Sequence, residues 1–157
     1  MNYRYSYLVI KEMKNEAFYT LFLTVFMVAG LSPASSAQDL SVHRWEERVI
    51  LVYSVDRTSE AYKSQITELL KDRDGLKERR LILYSYTPTH LKKGWDETGW
   101  EKHDGPPDNM FQTEGDFEVV LLGLDGGVKL RKDRFVTREE LFRLIDAMPM
   151  RQRELNN

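Results

Sequence analysis

The segment Phe117–Arg131, FEVVLLGLDGGVKLR, constrains the fold of this chain more than any other. Its apolar run, Val119–Leu122, is too short for a stable helix, and the glycine-rich turn 125–127 follows it. Residues 128–131 then alternate between apolar and charged side chains. An apolar run, a glycine-rich break and an alternating run predict a β-hairpin, with a buried first strand and a second strand at a sheet edge.

A strand, a helix and a second strand are predicted upstream of this hairpin. Val49–Ser54 and Leu81–Tyr86 are short, apolar and rich in β-branched or aromatic residues, as buried strands are. Between them, apolar side chains recur at helical spacing, which predicts a helix from about Ser59 to Arg73 with Gly75 at its C-terminal stop. A strand–helix–strand unit of this length favours two parallel strands with a right-handed crossover.

The rest of the chain completes an α/β domain. Thr87–Asp116 is rich in glycine and proline and is predicted to be a long excursion, with a helical turn near Asp108–Gln112. Thr137–Met148 has a capping box and one apolar stripe, so it is predicted to be a helix. The order predicts a thioredoxin-like fold over 49–149, a central mixed sheet with helices on both faces, and a frayed polar tail at 150–157.

The N-terminal segment 1–37 has the organisation of a signal peptide. Basic residues precede the apolar run Ala17–Leu31, and small residues follow it, which predicts cleavage after Ala37. The true start is open, because Met13 would also begin a well-proportioned signal. An uncleaved membrane anchor is the alternative, although the apolar run is short for a membrane span. Residues 38–48 are expected to form a polar lead-in to the domain.

Composition excludes several classes of function. The chain has no cysteine, which rules out disulfides, thiolate nucleophiles and cysteine-bound metals. Lys and Arg total 23 against 25 Asp and Glu, a formal net charge of −2. Such a charge balance gives no general reason to expect nucleic-acid binding.

Two segments carry a resemblance to a known family, namely the VVLLGLDGGVKLR hairpin and the LFRLIDAMPMR end of the last helix. They resemble the DUDES-type domain, a bacterial family of unknown function that also occurs as modules in animal extracellular proteins such as equarin and sushi-repeat proteins. The resemblance covers roughly Arg48 to Arg153. It implies a thioredoxin-like, peroxiredoxin-related fold, an exported protein and no settled activity.

When the strands are matched to those of a thioredoxin, Ser59 and Tyr62 fall where the two cysteines of the redox motif would be. The proline that precedes the third strand of thioredoxins is also missing, since Asp116 stands before Phe117. Dithiol exchange requires a thiolate, which neither side chain supplies. The sequence therefore predicts that the fold is kept and thiol-based redox activity is lost.

The first candidate site is the turn at the start of the first helix, with Asp56, Arg57, Thr58, Ser59 and Tyr62. Free backbone N–H groups and the helix dipole favour an anion there, such as a carboxylate or phosphate. Ordinary capping by these side chains is the alternative.

Two further candidate sites lie in the excursion. Trp95 and Trp100 are candidates for a partner-binding loop; alternatively, they fold back and cover the sheet. His90 and His103 are candidate metal ligands, although their spacing matches no known metal motif and solvated loop residues are the simpler interpretation. No metal and no cofactor are therefore predicted.

The basic run Lys129, Arg131, Lys132 and Arg134 is consistent with an acidic partner or anionic lipid. It is equally consistent with a charged edge strand that discourages strand pairing.

Two functions remain open at this point. The first is an exported, non-redox thioredoxin-like module, periplasmic or secreted, that binds a protein or small molecule of the cell envelope, with no nucleic acid and no stable membrane span after signal cleavage. The alternative is an enzyme, or an anion- or metal-binding protein, that uses the former redox-site turn.

Overall fold

A computed structural model describes residues 39–96, 99–107 and 109–156. The predicted signal peptide at 1–37 lies outside these residues. A six-stranded sheet with the strand order β4-β3-β2-β1-β5-β6 organises the structure. The strands are β1 (Arg48–Ser54), β2 (Leu81–Tyr86), β3 (His90–Lys93), β4 (Trp100–Lys102), β5 (Phe117–Leu122) and β6 (Val128–Lys132).

The central strand β1 pairs with β2 on one side and β5 on the other. The pairing with β2 is parallel and starts at Arg48 opposite Leu81, as the strand–helix–strand unit predicts. The pairing with β5 is antiparallel, and β5 continues into β6 through the predicted hairpin. Both β1 and β5 are buried almost throughout, which explains their continuous apolar runs.

The predicted helix from Ser59 to Arg73 is α1 (Glu60–Leu70), and a second helix, α2 (Arg73–Glu78), follows where the helix stop was predicted. The carboxylate of Asp72 accepts a hydrogen bond of 2.8 Å from the Gly75 backbone and so caps α2. Gly75 therefore lies inside α2 and not at a helix stop. A Cβ at this position would lie 2.5 Å from Asp72 and 2.7 Å from the Phe142 ring, so close packing requires glycine there.

The C-terminal segment is not frayed. Helix α3 (Arg138–Asp146) ends before Pro149, and Pro149 then begins a further helix, α4 (Pro149–Leu155). Proline suits the first turn of a helix because its missing N–H would have no partner there. Arg151 of α4 is buried, so the domain extends past the predicted boundary at 149.

Helices α1, α2 and α3 pack on one face of the sheet. This face buries the side chains of α1, α2 and α3 against those of β1, β2 and β5; they are Tyr62, Leu69, Leu76, Leu141 and Ile145. The opposite face is covered by a short 3-10 helix (Leu40–His43) and by Met110 and Phe111 of the excursion. The prediction of helices on both faces is thus met, and among residues 39–156 that the structure describes, the 3-10 helix is the helix on this second face.

The excursion adds β3 and β4 to the edge of the sheet. Thr87 N–H and Gly94 N–H extend the backbone hydrogen bonding at the two ends of β3. The predicted helical turn at 108–112 is not formed by the described part of that segment, where Met110 N–H instead closes a turn on the Pro107 carbonyl. None of the described helices is both long and apolar enough to cross a membrane.

Candidate functional site

Ser59 lies between β1 and α1, at a position that the sequence comparison matched to a cysteine of the redox motif. The Ser59 Oγ accepts a hydrogen bond of 3.3 Å from Tyr62 N–H and so caps α1. The same oxygen lies 3.1 Å from Ser54 Oγ, which in turn donates to the Asp56 carbonyl. Ser59 is therefore part of a closed hydrogen-bond chain that fixes the turn.

Tyr62 is buried in the core below this turn. Its hydroxyl donates a hydrogen bond of 3.0 Å to Ser85 Oγ on β2. Burial raises the pKa of the Tyr62 phenol, which keeps it protonated and neutral. An acid–base role requires contact with a substrate, and this tyrosine instead contacts the interior.

The Asp56 carboxylate accepts hydrogen bonds from donors of its own turn. One of its carboxylate oxygens accepts from both the Thr58 N–H and the Thr58 hydroxyl, at 2.7 Å each. The backbone hydrogen bond from Thr58 holds the pKa of Asp56 below its usual value. Because a carboxylate of the chain already occupies these donors, an incoming anion would have to displace it. The anion site stays a prediction.

The Trp100 side chain contacts residues of this turn, whereas the Trp95 side chain lies elsewhere. The Arg57 guanidinium lies 5.6 Å and the Lys92 ammonium 5.5 Å from the centroid of the Trp100 ring. The ring also lies 6.0 Å from that of Tyr62 and packs against the core. Trp100 thus folds back on the core beside two cations. Trp95 also packs against the core, but it lines a separate pocket.

The two candidate histidines have other partners. His90 Nδ1 lies 2.9 Å from Thr89 Oγ1. The His103 ring packs edge-on against Tyr86, with 5.9 Å between centroids. Nowhere in the described ranges do three metal-ligating side chains converge, so neither histidine has companions there for a metal site.

The structure adds a groove that the sequence reasoning missed. The end of the excursion with the start of β5 (112–118) and the end of β6 with the residues after it (131–134) line an open groove of about 850 Å³. Its Asp116 carbonyl accepts a hydrogen bond of 2.9 Å from Val55 N–H, just after β1. The groove therefore adjoins the end of the sheet where β1 leads to Ser59 and α1.

The buried carboxylate of Glu118 holds this groove in shape. One oxygen accepts from the backbone N–H groups of Gln112 and Thr113, at 2.9 Å each. The other forms a 2.5 Å ion pair with Arg131, which also donates to the Met110 carbonyl. An acidic residue within the apolar run of β5 was the available sequence signal, because a buried charge needs a partner.

The rim of the groove carries charges of both signs. Its side chains include Glu114, Lys132, Asp133 and Arg134. None of these four forms a side-chain hydrogen bond or ion pair with another described residue, whereas Arg131 and Glu118 neutralise each other. The volume lies within the range of ligand pockets, roughly 300–1,000 Å³, and the free charges are suited to polar contacts with a partner.

Comparison with known proteins supports this architecture. The crystal structure of the reduced 2-Cys peroxiredoxin of Plasmodium vivax is similar, with a TM-score of 0.53 and 16% sequence identity. The match covers 73% of this chain and 72% of that one, which confirms a thioredoxin-like, peroxiredoxin-type fold. No curated protein matches the sequence. A family model described as "Domain of unknown function (DUF4174)" matches residues 39–154, and the chain belongs to that family.

Proposed function

We propose that this chain is an exported, non-redox thioredoxin-like module that binds a protein partner at the end of the sheet where β1 terminates. The observation that carries the proposal is the replacement of the redox pair. The chain has no cysteine, and Ser59 and Tyr62 are bonded within the structure. The end of the sheet is present but has no thiols. It therefore offers a surface for recognition and no thiolate for electron transfer.

The adjoining groove supports recognition of a protein. The groove is open to solvent along a polar rim. A small-molecule site is usually an enclosed, mostly apolar cavity, and this groove is not. Lys132 and Arg134 offer cations beside the carboxylates of Glu114 and Asp133. Such alternation favours an extended polypeptide with charges of both signs, and electrostatic complementarity would set its register.

Photo-crosslinking tests this binding role. A photoreactive phenylalanine analogue at Asp133 should give one discrete adduct with an envelope protein in intact cells. The adduct should fall at least tenfold when Lys132→Glu and Arg134→Glu are combined. The analogue placed at Arg143, an exposed residue of α3, is the matched control and should give no such adduct. Equal adducts from both positions, or one that survives the double charge reversal, would contradict the proposal.

Export rests on the sequence of 1–37 alone. We propose cleavage after Ala37, which leaves a mature chain that begins with Gln38. Cell fractionation followed by N-terminal sequencing tests this proposal. A mature N-terminus at Gln38 in the periplasm or medium is expected, and Ala37→Leu should slow processing. An intact N-terminus in the cytoplasm would contradict export, whereas an intact chain in the membrane fraction would indicate an anchor.

We also propose that DUDES-type domains share this fold and ancestry. The support is the similarity of the VVLLGLDGGVKLR hairpin and the LFRLIDAMPMR helix. An experimental structure of one such animal module should have the strand order β4-β3-β2-β1-β5-β6. A different order would separate the two families.

A further inference from the structure

A second pocket lies at the opposite end of the sheet from the former redox position. It has a volume of about 400 Å³ and opens beside Leu81, where β2 begins. Leu76 of α2 and Leu81 are buried and form its apolar floor together with the half-buried Trp95. An apolar floor with a polar rim is the usual form of a small-molecule site.

Three basic side chains surround this floor. Arg73 and Lys77 are four residues apart on α2 and so lie on one face of the helix, and Arg80 follows the helix. Their side chains form no hydrogen bond or ion pair with any described residue. The charge of Arg80 helps to lower the pKa of Glu154, but the two side chains form no ion pair. Free cations beside buried apolar surface are suited to a ligand that combines an anion with an apolar group.

Arg80 also has a strained backbone. Its φ is +50°, a left-handed conformation that glycine adopts far more readily at the end of a helix. The Arg80 backbone closes α2 through its N–H and accepts from Arg48 N–H at 2.8 Å, and glycine would make both bonds equally well. The fold therefore requires the conformation of this residue but not its side chain. Strain kept in this way is typical of functional positions.

The remaining wall is acidic. Glu46 is exposed, and Glu47 forms a 2.5 Å hydrogen bond with His43, which also bonds Tyr84. These two carboxylates oppose three cations, so a bare polyanion such as a nucleic acid or polyphosphate is disfavoured. Glu46 thus brings an exposed carboxylate to the pocket wall.

We propose that this pocket binds a small organic acid that carries an apolar group. Its carboxylate contacts Arg73, Lys77 and Arg80, and its apolar part covers Leu76, Leu81 and Trp95. The proposal does not depend on the recognition of a protein at the other end of the sheet. Free apolar amino acids and acids without an ammonium group both carry a carboxylate and an apolar group. Contact of Glu46 with the ammonium group would distinguish the amino acids.

NMR titration of the protein purified after expression of the full chain tests the site. The chain has three tryptophans, so the indole N–H signal of Trp95 can be assigned with a Trp95→Phe variant. N-acetyl-L-phenylalanine should move that signal in a saturable way, and N-acetyl-L-phenylalaninamide, which lacks the charge, should bind at least tenfold more weakly. Tighter binding of L-phenylalanine would identify free amino acids as the source, and weaker binding would identify acids that lack the ammonium.

Arg80→Gly is the decisive variant, because it removes the cation and relieves the backbone strain together. We expect binding of N-acetyl-L-phenylalanine to weaken at least tenfold while the thermal midpoint stays equal or rises. Arg143→Gln, at an exposed arginine of α3, is the control and should leave binding unchanged. The proposal is overturned by an unmoved Trp95 signal, by equal binding of acid and amide, by unchanged binding in Arg80→Gly, or by an equal response to inorganic phosphate alone.

Discussion

At the scale of single residues, Gln65 connects two parts of the fold that lie 71 residues apart. Its buried side-chain amide donates to the Val136 carbonyl at 2.9 Å and accepts from the Val136 N–H at 2.8 Å. Gln65→Leu would leave both backbone groups buried without partners, so we expect a loss of about 2–4 kcal/mol in the free energy of unfolding. Urea unfolding measures the change. Thr67→Leu, an exposed position on α1, is the control and should change stability by less than about 0.5 kcal/mol.

Local residue roles were predictable, and distant partners were not. The capping role of Thr137 is confirmed, since its hydroxyl accepts from Glu140 N–H at 3.1 Å. A cap depends on residues three positions apart, which a sequence displays directly. The partners of Gln65 and Glu118 depend on where separate segments meet, so periodicity carries no signal for them. The groove at 112–118 was missed for this reason.

At the scale of elements, helix α4 tests the difference between a frayed tail and an integral part of the fold. Arg151 of α4 pairs with Glu78 of α2 and Asp146 of α3, and Glu154 pairs with the fully buried Arg48 of β1. Deletion of residues 149–157 would leave Arg48 buried without its partner carboxylate. We therefore expect a loss of at least about 3 kcal/mol in the free energy of unfolding.

Thermal and urea unfolding of two truncated chains measure this effect. A chain that ends at Leu155 keeps all of α4 and should unfold with the midpoint of the full chain. A chain that ends at Met148 should unfold many degrees lower. If the two shortened chains had equal midpoints, α4 would contribute nothing and the ion pairs of Arg151 would be surface contacts only.

Element boundaries show where sequence patterns become insufficient. The predicted helix, Ser59–Arg73 with Gly75 as its stop, runs past the end of α1 at Leu70 and leaves α2 out. The break appears only because Asp72 turns back to cap α2 and Gly75 packs under Phe142. Likewise, Pro149 directly after the predicted helix Thr137–Met148 is compatible with a helix end and also with the first turn of a new helix, and the packing of Arg151 decides between the two.

At the scale of the whole molecule, ion pairs hold together the end of the domain where β1 begins. We name this cluster the basal ion network; it comprises Arg48, Glu78, Arg79, Asp146, Arg151 and Glu154. It joins β1 to α2, α3 and α4, and three of its members come from the C-terminal twenty residues. The sequence predicted the fold class and the central hairpin from apolar patterning, but charged residues in helices gave no indication of this assembly.

The basal ion network should make stability depend on pH. Burial alone would raise the pKa of Glu154, but the hydrogen bond and charge of Arg48 outweigh it and lower this pKa below its usual value. The same balance lowers the pKa of Asp146, through Arg79. A carboxylate whose pKa is lower in the folded state stabilises that state above its unfolded pKa. This contribution is lost as the pH falls through the folded pKa.

We therefore expect the free energy of unfolding to fall as the pH is lowered from about 5 to 3, as protonation breaks these pairs. Glu154→Gln removes one of them at every pH. This variant should lose about 2 kcal/mol in the free energy of unfolding at pH 7. The difference in stability between the variant and the unsubstituted chain, its deficit, should shrink towards pH 3, because the unsubstituted chain has lost the same ion pair there. Urea unfolding across this pH range measures the deficit, with Glu101→Gln, at an exposed carboxylate of β4, as the control. A deficit that stayed constant with pH would mean that Glu154 acts through packing and not through its charge.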